Sequence, residues 1–304
     1  MKIQNRAKIC LCISIVIMLV AVVMSLTGHG INYGIDFAGG LNLQYDMGST
    51  YDKADVEEAL KARGIEEFVV STVGSEGTAV QIRVPTLSDE DEVQNLQNGL
   101  ETTLLEKYPN MDTDNATASY VGPVAGATLV RNAIFSVLIA AVLMLIYIAF
   151  RFDLFSGVAA VAGLLHDVLI MISFMVILRN VIQMNSSFIA AMLTIVGYSI
   201  NNTIVIFDRI RENNKKPALA GQPRSEIVEL SVKESLGRTI NTTLTTLVTI
   251  VTLYILGVAS IREFSLPIII GILAGAYSAN LINGYVWAAL EDARLARKSQ
   301  KKAA

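Results

Sequence analysis

Cysteines, prolines and catalytic signatures are scarce in this sequence. The two cysteines among 304 residues, Cys10 and Cys12, share one apolar run near the N-terminus, where packing is their favoured role, and the rest of the chain cannot form a disulfide. One of the six prolines, Pro267, falls inside a predicted membrane span, and we expect it in the first helical turn. No Walker motif, HExxH motif or Cys/His metal spacing occurs, so we expect no enzymatic activity, no catalytic residue, no bound metal and no cofactor.

Long apolar runs are what the sequence has in abundance. Hydrophobic residues make up 53% of the chain, and its mean hydropathy is +0.51. A helix that spans a bilayer needs about 20 mainly apolar residues. Six runs meet this requirement: Ile9–Leu26, Ala133–Phe150, Leu154–Leu178, Ser187–Phe207, Thr239–Val258 and Leu266–Leu290. The first run is longer than a signal-peptide core of about 7–15 residues and no clear cleavage site follows it, so we interpret it as a retained helix.

Basic residues are distributed unevenly around these runs. If the N-terminus is cytoplasmic, 16 lysines and arginines fall on cytoplasmic segments, and the two short outer loops hold one each, Arg179 and Arg262. This bias predicts a multi-pass protein of the cytoplasmic membrane with both chain ends in the cytoplasm. The outer segment, residues 27–128, carries 17 acidic and 5 basic residues, which disfavours binding to nucleic acid or anionic lipid there and favours a solvated domain.

The outer segment has the pattern of a small α+β domain. Alternating apolar residues predict strands at 41–45, 68–73, 80–84 and 116–121, the middle two joined as a hairpin. Amphipathic helices fill the two longer gaps, the first capped by Ser49 or Thr50 and the second by Ser88. The resulting order, β-α-β-β-α-β, is that of the ferredoxin-like fold.

These segments give the predicted organisation of the chain. It consists of a cytoplasmic N-terminus with the first span (1–28), an extracytoplasmic ferredoxin-like domain (29–128), five more spans with a cytoplasmic loop at 208–238 (129–293), and a basic cytoplasmic tail (294–304). Inside the cytoplasmic loop, Ser225 opens a short amphipathic stretch. We expect this stretch to lie on the membrane surface before the fifth span.

Several polar side chains lie inside the predicted spans. Charged groups at the membrane centre cost roughly 2.5–3.5 kcal/mol each on insertion scales, so they are candidates for function. His166 and Asp167 lie near the middle of the third span, Asn202 lies in the fourth, and Arg238 stands where the fifth begins. The alternative is that such groups join helices by hydrogen bonds, which we favour for Asn280 and the threonines of the fifth span. Arg238 has the further alternative of an interfacial anchor.

Five short stretches occur together in an order typical of one family. They are Gly34–Gly40 (GIDFAGG) after the first span, Val121-Gly122-Pro123 before the second, His166-Asp167-Val168 in the third, Val196–Asn213 in and after the fourth, and Ser235–Thr239 at the start of the fifth. This set closely resembles the SecF family of bacterial protein-export membrane subunits, in the resistance-nodulation-division superfamily, and the resemblance runs through nearly the whole chain. The family positions after the first span are Gly34, Asp36, Phe37, Gly39 and Gly40. Those of the fourth-span motif are Gly197, Tyr198, Ser199, Asn201, Asn202, Asp208, Arg209 and Arg211.

The resemblance implies a function that hydropathy alone does not give. Members of this family pair with SecD beside the SecY–SecE–SecG channel, and they are thought to use the proton-motive force to draw preproteins outward after the ATP-driven step by SecA. On this reading the outer domain meets the translocating preprotein, and the spans are surrounded by membrane lipid. Two other functions remain open: a non-coupling scaffold of the translocase, and a small-molecule transporter of the same superfamily.

One position departs from the family pattern. Many members carry an aspartate, held to carry the proton, where this chain has Asn202, although the expected neighbour Arg238 is present. An amide does not titrate, so Asn202 cannot take up or release a proton. Coupling then depends on another carboxylate, such as Asp167 or one in SecD, or on a different ion, or this subunit is a passive half.

Overall fold

The chain divides into two compact units. The computed structural model describes residues 3–73, 77–85 and 90–303. The smaller unit consists of Tyr33–Ile134 and Gln183–Ser186, and the larger of Met1–Asn32, Phe135–Ile182 and Ser187–Ala304. The segment Gln183–Ser186, which lies between the third and fourth apolar runs, was not predicted to belong to the smaller unit.

Helices and short strands alternate in the first half of the chain, and helices alone follow. In chain order the elements are α1 (Ile3–Leu26), α2 (Ile35–Ala38), β1 (Gly40–Asp46), α3 (Lys53–Lys61), β2 (Val69–Val73), β3 (Ala79–Val84), α4 (Glu90–Lys107), β4 (Asp112–Val121), α5 (Pro123–Arg151), α6 (Leu154–Ile177), α7 (Ser186–Asn213), α8 (Arg224–Leu256), α9 (Ala259–Ser278) and α10 (Gly284–Ala303). A 3-10 turn, Pro217–Leu219, precedes α8, and a π-helical segment, Ala279–Asn283, joins α9 to α10.

The smaller unit is built on one antiparallel sheet. Its strand order is β2-β3-β1-β4, and the central β1 pairs Leu43 with Ile82 on one side and with Ala118 on the other. Alternate strand residues and the inner faces of α3 and α4 form the core, in which Leu41, Tyr45, Leu60 and Leu100 are fully buried. The hairpin predicted from the sequence is present as the antiparallel pair β2–β3.

Element ends differ from the sequence predictions at several points. The cap predicted at Ser49 or Thr50 is wrong: α3 begins at Lys53, and the Asp52 side chain accepts from the Ala54 N–H at 3.0 Å. An aspartate at the N-cap satisfies a free helix donor and meets the positive helix end, so it competes well with the hydroxyls upstream. The second predicted cap, Ser88, lies outside the described residues. The last strand begins at Asp112, four residues earlier than predicted.

The described residues contain six helices long and apolar enough to cross a membrane, as the sequence predicts. They are α1, α5, α6, α7, α8 and the composite of α9, the π-helical segment and α10. The third, fourth and sixth candidates bury 61%, 50% and 67% of their apolar windows, whereas the first, second and fifth bury 11%, 6% and 11%. The core of the larger unit is therefore centred on α6, α7 and α9.

Two local predictions for the larger unit are wrong. The amphipathic stretch after Ser225 is not a separate surface helix, because α8 runs without a break from Arg224 to Leu256. Val228 and Val232, in the first turns of α8, are buried inside the larger unit. Their burial explains why these turns continue directly into the span. Pro267 is not in a first turn either: α9 starts at Ala259, so the proline lies in the helix interior.

Candidate functional site

A buried carboxylate lies where α6, α7 and α9 meet. Asp167 on α6 is completely buried. The Ser199 hydroxyl on α7 donates to its Oδ2 at 2.5 Å, and the Ser278 hydroxyl at the end of α9 donates to the same oxygen at 2.9 Å. Three helices thus converge on one acidic group, which matches the rule that intramembrane carboxylates face the bundle interior.

His166 completes the environment of this carboxylate. Its Nδ1 lies 2.9 Å from Asp167 Oδ1, although neighbouring residues on a helix project about 100° apart. Its Nε2 lies 2.8 Å from Ser14 Oγ on α1 and 3.0 Å from the Tyr277 hydroxyl on α9. The His166 and Tyr277 rings meet edge to face at 5.3 Å between centroids. The structure therefore brings together the His–Asp pair that the sequence indicated and links it to two further helices.

Small residues on α9 allow this convergence. A Cβ added at Gly275 would lie 3.0 Å from the Ser199 Cβ, and one at Gly271 would crowd Ile195 and Met171. The close approach of α9 to α7 at these glycines brings Ser199 and Ser278, one from each helix, onto a single carboxylate oxygen. Small residues at helix contacts have this role in membrane proteins generally.

Asn202 and Arg238 lie apart from the His–Asp pair. The buried Asn202 amide donates to Thr243 Oγ1 of α8 at 3.5 Å, and its Oδ1 has no hydrogen-bond partner among the described residues. Arg238 is exposed on α8, and within the described part of the chain its guanidinium forms no hydrogen bond or ion pair. The structure therefore does not join these two side chains. Asn283 forms a second buried polar contact, in which its amide donates to Thr203 at 2.9 Å.

The remaining residues of the fourth-span motif have structural contacts or are exposed. Gly197 and Asn201 are exposed on α7, and the Tyr198 hydroxyl donates to the Thr242 carbonyl at 3.1 Å. At the end of α7 the charged positions form surface ion pairs and one backbone contact. These are Asp208 with Arg151 at 3.7 Å, Arg209 with Glu212 at 2.6 Å and with Glu234 at 2.7 Å, and Arg211 with the Arg151 carbonyl at 3.3 Å.

The glycine-rich motif after the first span organises the smaller unit. Gly34 caps the short helix α2 and its N–H donates to the Met184 carbonyl at 2.8 Å. The Asp36 carboxylate accepts from the Ser186 N–H at 2.7 Å, which links the motif to the second segment of the same unit. Gly40 has φ +112°, and a Cβ there would overlap the Val84 carbonyl. Phe37 lies in α2, and Gly39 follows its last residue. The glycines of this motif are therefore explained by backbone geometry.

Sequence reasoning missed the hydroxyls of the site. Ser14, Tyr277 and Ser278 were not singled out, because hydroxyl residues are frequent in membrane helices and most of them bond to their own helix. A usable signal was present in part: Ser14 lies in an otherwise apolar stretch of the first span. The described residues contain no group of three or more His, Cys, Asp or Glu side chains placed to hold a metal ion.

The architecture and the site define a multi-pass membrane protein with a buried, hydrogen-bonded His–Asp pair. Residues 101–293 match the family described as protein export membrane protein SecD/SecF, C-terminal, and residues 25–49 match the SecD/SecF GG motif. The chain belongs to the SecD/SecF family of protein-export membrane proteins.

The relatives fall into separate and fused forms. The chain is 35% identical over 280 residues to protein translocase subunit SecF of Rickettsia bellii, covering 92% of this chain and 90% of the relative. It is 34% identical over 288 residues to protein translocase subunit SecDF of Bacillus subtilis, covering 92% of this chain but 37% of that protein. The crystal structure of SecDF from Thermus thermophilus superimposes with a TM-score of 0.79 at 34% identity, covering 95% of this chain and 38% of that one. This chain thus has the length of a SecF protein and less than half that of a SecDF chain.

Proposed function

We propose that this chain is an accessory subunit of the Sec protein translocase, which works with a SecD subunit beside the SecY–SecE–SecG channel to promote export of preproteins. The observation that supports this most directly is the match to SecF along 92% of the chain. In the SecDF relatives, SecD and SecF are fused in one chain, and this chain corresponds to the SecF part. This fusion supports a SecD partner. The relatives are named as translocase subunits, and we propose no enzymatic activity for this chain.

The buried His–Asp pair supports coupling to an ion gradient. One elementary charge that crosses 100 mV releases about 2.3 kcal/mol, enough to bias a two-state packing of helices. Asp167 is the acidic side chain buried within the apolar helices of the described chain, whereas Asp208 is exposed at the end of α7. We therefore assign the coupling proton to the His166–Asp167 pair, after the SecA-driven step, and not to the neutral Asn202.

Exposed amides on α7 and α8 support a docking face for SecD. Asn201 and Asn241 are exposed at membrane depth, and within the described residues neither side chain has a hydrogen-bond partner. Unpaired amides in lipid are costly, so a second helical subunit is the favoured neighbour for this face.

The small unit and the charge pattern support the rest of the proposal. The observed order β-α-β-β-α-β with sheet order β2-β3-β1-β4 is that expected for a ferredoxin-like domain, which we place outside the cytoplasm, where it meets the preprotein. The excess of basic residues at the other loops favours cytoplasmic chain ends in the cytoplasmic membrane. A non-coupling scaffold is the second candidate, because the position expected to titrate holds Asn202.

Export measured in membrane vesicles separates these two candidates. The full SecD-containing translocase is assayed with and without an ionophore, using wild type, Asp167→Asn and Asn202→Ala, each normalised to the amount of this subunit in the membrane. We expect Asp167→Asn to abolish the ionophore-sensitive part of export, and Asn202→Ala to keep most of it, since that amide contributes only hydrogen bonds worth roughly 0.6–2 kcal/mol. Normal ionophore-sensitive export by Asp167→Asn would exclude this carboxylate as the carrier. Export that is insensitive to ionophore in wild type would favour the scaffold.

A further inference from the structure

Three polar atoms from three helices form a closed triangle beside Asp167. His166 Nε2 lies 2.8 Å from Ser14 Oγ and 3.0 Å from the Tyr277 hydroxyl, and the two hydroxyl oxygens lie 2.7 Å apart. Ser14 Oγ also lies 3.0 Å from the Cys10 carbonyl, one turn nearer the N-terminus of α1. The two hydroxyls have one hydrogen each, so the direction in which they donate depends on whether Nε2 carries a proton.

With one proton on the imidazole, the hydroxyls donate toward it. Nδ1–H donates to Asp167 Oδ1, so Nε2 is an acceptor. Ser14 donates to Tyr277, and Tyr277 donates to Nε2. The Cys10 carbonyl still has its helical N–H partner. Each polar hydrogen of the triangle therefore has an acceptor in this arrangement.

With a proton added at Nε2, the same three atoms are satisfied in the opposite direction. Nε2–H donates to Tyr277, Tyr277 donates to Ser14, and Ser14 donates to the Cys10 carbonyl. Only the two hydroxyl hydrogens have turned. The site can therefore gain or lose a proton without moving a helix, because no polar hydrogen is left without an acceptor in either state.

The carboxylate shows where the added charge goes. Asp167 Oδ2 already accepts from Ser199 and Ser278, which leaves Oδ1 facing Nδ1 as the oxygen that can take a proton. When Nε2 gains a proton, the hydrogen on Nδ1 can pass to Oδ1. The imidazole then is neutral again, Asp167 is a neutral acid, and the pair has gained one proton in total.

We infer that His166 is the relay through which Asp167 gains and loses its proton, and that Ser14 and Tyr277 reverse their hydrogen bonds to follow it. The inference rests on the proposed function only for its purpose in export. The titratable and polar groups that face the imidazole among the described residues are Asp167 on its own helix, Cys10 and Ser14 of α1, and Tyr277 of α9.

The surroundings of the triangle support a relay through hydroxyls. A groove of about 410 Å³ lies beside it between α1, α6 and α9, and its lining is apolar apart from Cys10 and Tyr277. Ile13, Ile170 and Phe174 are among the apolar side chains of this lining. The apolar lining offers ordered water few polar partners, so the hydroxyls are the polar groups that connect His166 with the Cys10 side of α1.

Nitrogen NMR of a single histidine tests the relay. The chain has two histidines, so His29→Gln leaves only His166, which is observed in the detergent-solubilised full chain with ¹⁵N-labelled histidine between pH 5 and 9. At the high-pH end we expect the imidazole hydrogen on Nδ1. At the low-pH end we expect a hydrogen on Nε2, with the Nδ1 hydrogen passed to Asp167. A hydrogen on Nε2 at the high-pH end, or nitrogen signals that do not change with pH, would overturn the relay.

Two variants test the reversal of the hydroxyls. In Ser14→Ala the Tyr277 hydroxyl has no acceptor once Nε2 is protonated, but it still donates to neutral Nε2. This penalty falls on one state only, so the change in the histidine signal should move about one pH unit lower. In Tyr277→Phe, Ser14 can still donate to neutral Nε2, and it can accept from protonated Nε2 while it donates to the Cys10 carbonyl. We therefore expect a smaller change in the pH at which the histidine signal shifts. Equal displacement by the two variants, or none by either, would overturn the reversal.

Controls separate this effect from general damage. Thr194→Ala removes a hydroxyl that bonds to its own helix on α7, away from the triangle, and should leave the histidine signal in place. Ser14→Thr keeps a hydroxyl and should restore the wild-type behaviour. If the histidine behaves as expected but export does not depend on Asp167, the relay stands and the proposed coupling to export falls.

Discussion

Asp55 is a carboxylate of the smaller unit that accepts hydrogen bonds from two side chains near the end of α4. Lys107 Nζ lies 2.5 Å from its Oδ1, and the Tyr108 hydroxyl donates to its Oδ2 at 2.5 Å. The hydrogen bond from Lys107, with that from Tyr108, lowers the pKa of the Asp55 carboxyl below its ordinary value of 3.8. These contacts tie the start of α3 to the end of α4.

The acid stability of the small unit should depend on Asp55. A lowered folded-state pKa means that the contribution to stability is present above pH 3.8 and is lost as the pH falls toward the folded value. In the fragment 32–121, which contains all four strands, Asp55→Asn should lower the urea midpoint at pH 7 and have little further effect at pH 2. Urea unfolding followed by circular dichroism measures this. Glu66→Gln, an exposed position with no partner among the described residues, is the control and should match wild type at both pH values.

The sequence predicted those residues of the site whose burial in a membrane costs free energy. His166 and Asp167 were identifiable because an ionisable group in an apolar run needs an explanation. Ser14 and Tyr277 were not, since a hydroxyl costs little in a helix and its partner is decided by which helices meet. Their pairing with His166 is a property of the tertiary structure and is not encoded in any local spacing.

At the scale of elements, Gly163 marks a close contact between α6 and the π-helical segment. A Cβ at this position would overlap the Asn283 amide, which is buried and donates to Thr203. The π-helical turn places Asn280 and Asn283 inside the bundle, where Asn280 accepts from Thr239 at 3.0 Å.

The contact at Gly163 predicts a non-additive pair of mutations. Gly163→Ala should displace the Asn283 amide and lose its hydrogen bond to Thr203, lowering stability by about 1–3 kcal/mol. The double variant Gly163→Ala/Asn283→Ala should be at least as stable as Gly163→Ala alone, since the obstructing amide is gone. Thermal unfolding of the detergent-solubilised chain, followed by size-exclusion chromatography, measures both. Gly197→Ala, where a Cβ meets nothing within 4 Å, is the matched glycine control. A double variant less stable than either single one would contradict the overlap.

Element identity was largely predictable, and element ends were not. Hydropathy over about 20 residues predicted all six apolar helices, because length in an apolar run leaves few alternatives. It failed at the start of α8, where the sequence predicted a separate amphipathic stretch on the membrane surface, although Val228 and Val232 are buried in the first turns of a continuous helix. Charged residues indicate that one face of a helix is exposed to water. They do not indicate the residue at which the helix begins.

For the whole molecule, the distribution of basic residues predicts orientation in the membrane. Single cysteines at positions 66, 262 and 215 are placed in a background with Cys10→Ala and Cys12→Ala. We expect those at 66 and 262 to react with an impermeant thiol reagent in intact cells, and that at 215 to react only after lysis. Labelling of position 215 in intact cells would reverse the proposed orientation. Labelling of all three positions after lysis confirms that each cysteine is reactive.

The unbroken course of α8 has a mechanical consequence. A helix of 33 residues is about 50 Å long, well beyond the roughly 30 Å of a hydrocarbon core. Near its start it is fastened to the end of α7, where Asn213 donates to Ser231 at 2.9 Å and Arg209 pairs with Glu234 at 2.7 Å. A helix held near one end acts as a lever: a tilt of about 5° at Ser231 moves Leu256, about 38 Å further along the helix, by about 3 Å. A tilt at the start of α8 would therefore displace its other end, beyond the thickness of a hydrocarbon core, along a single backbone.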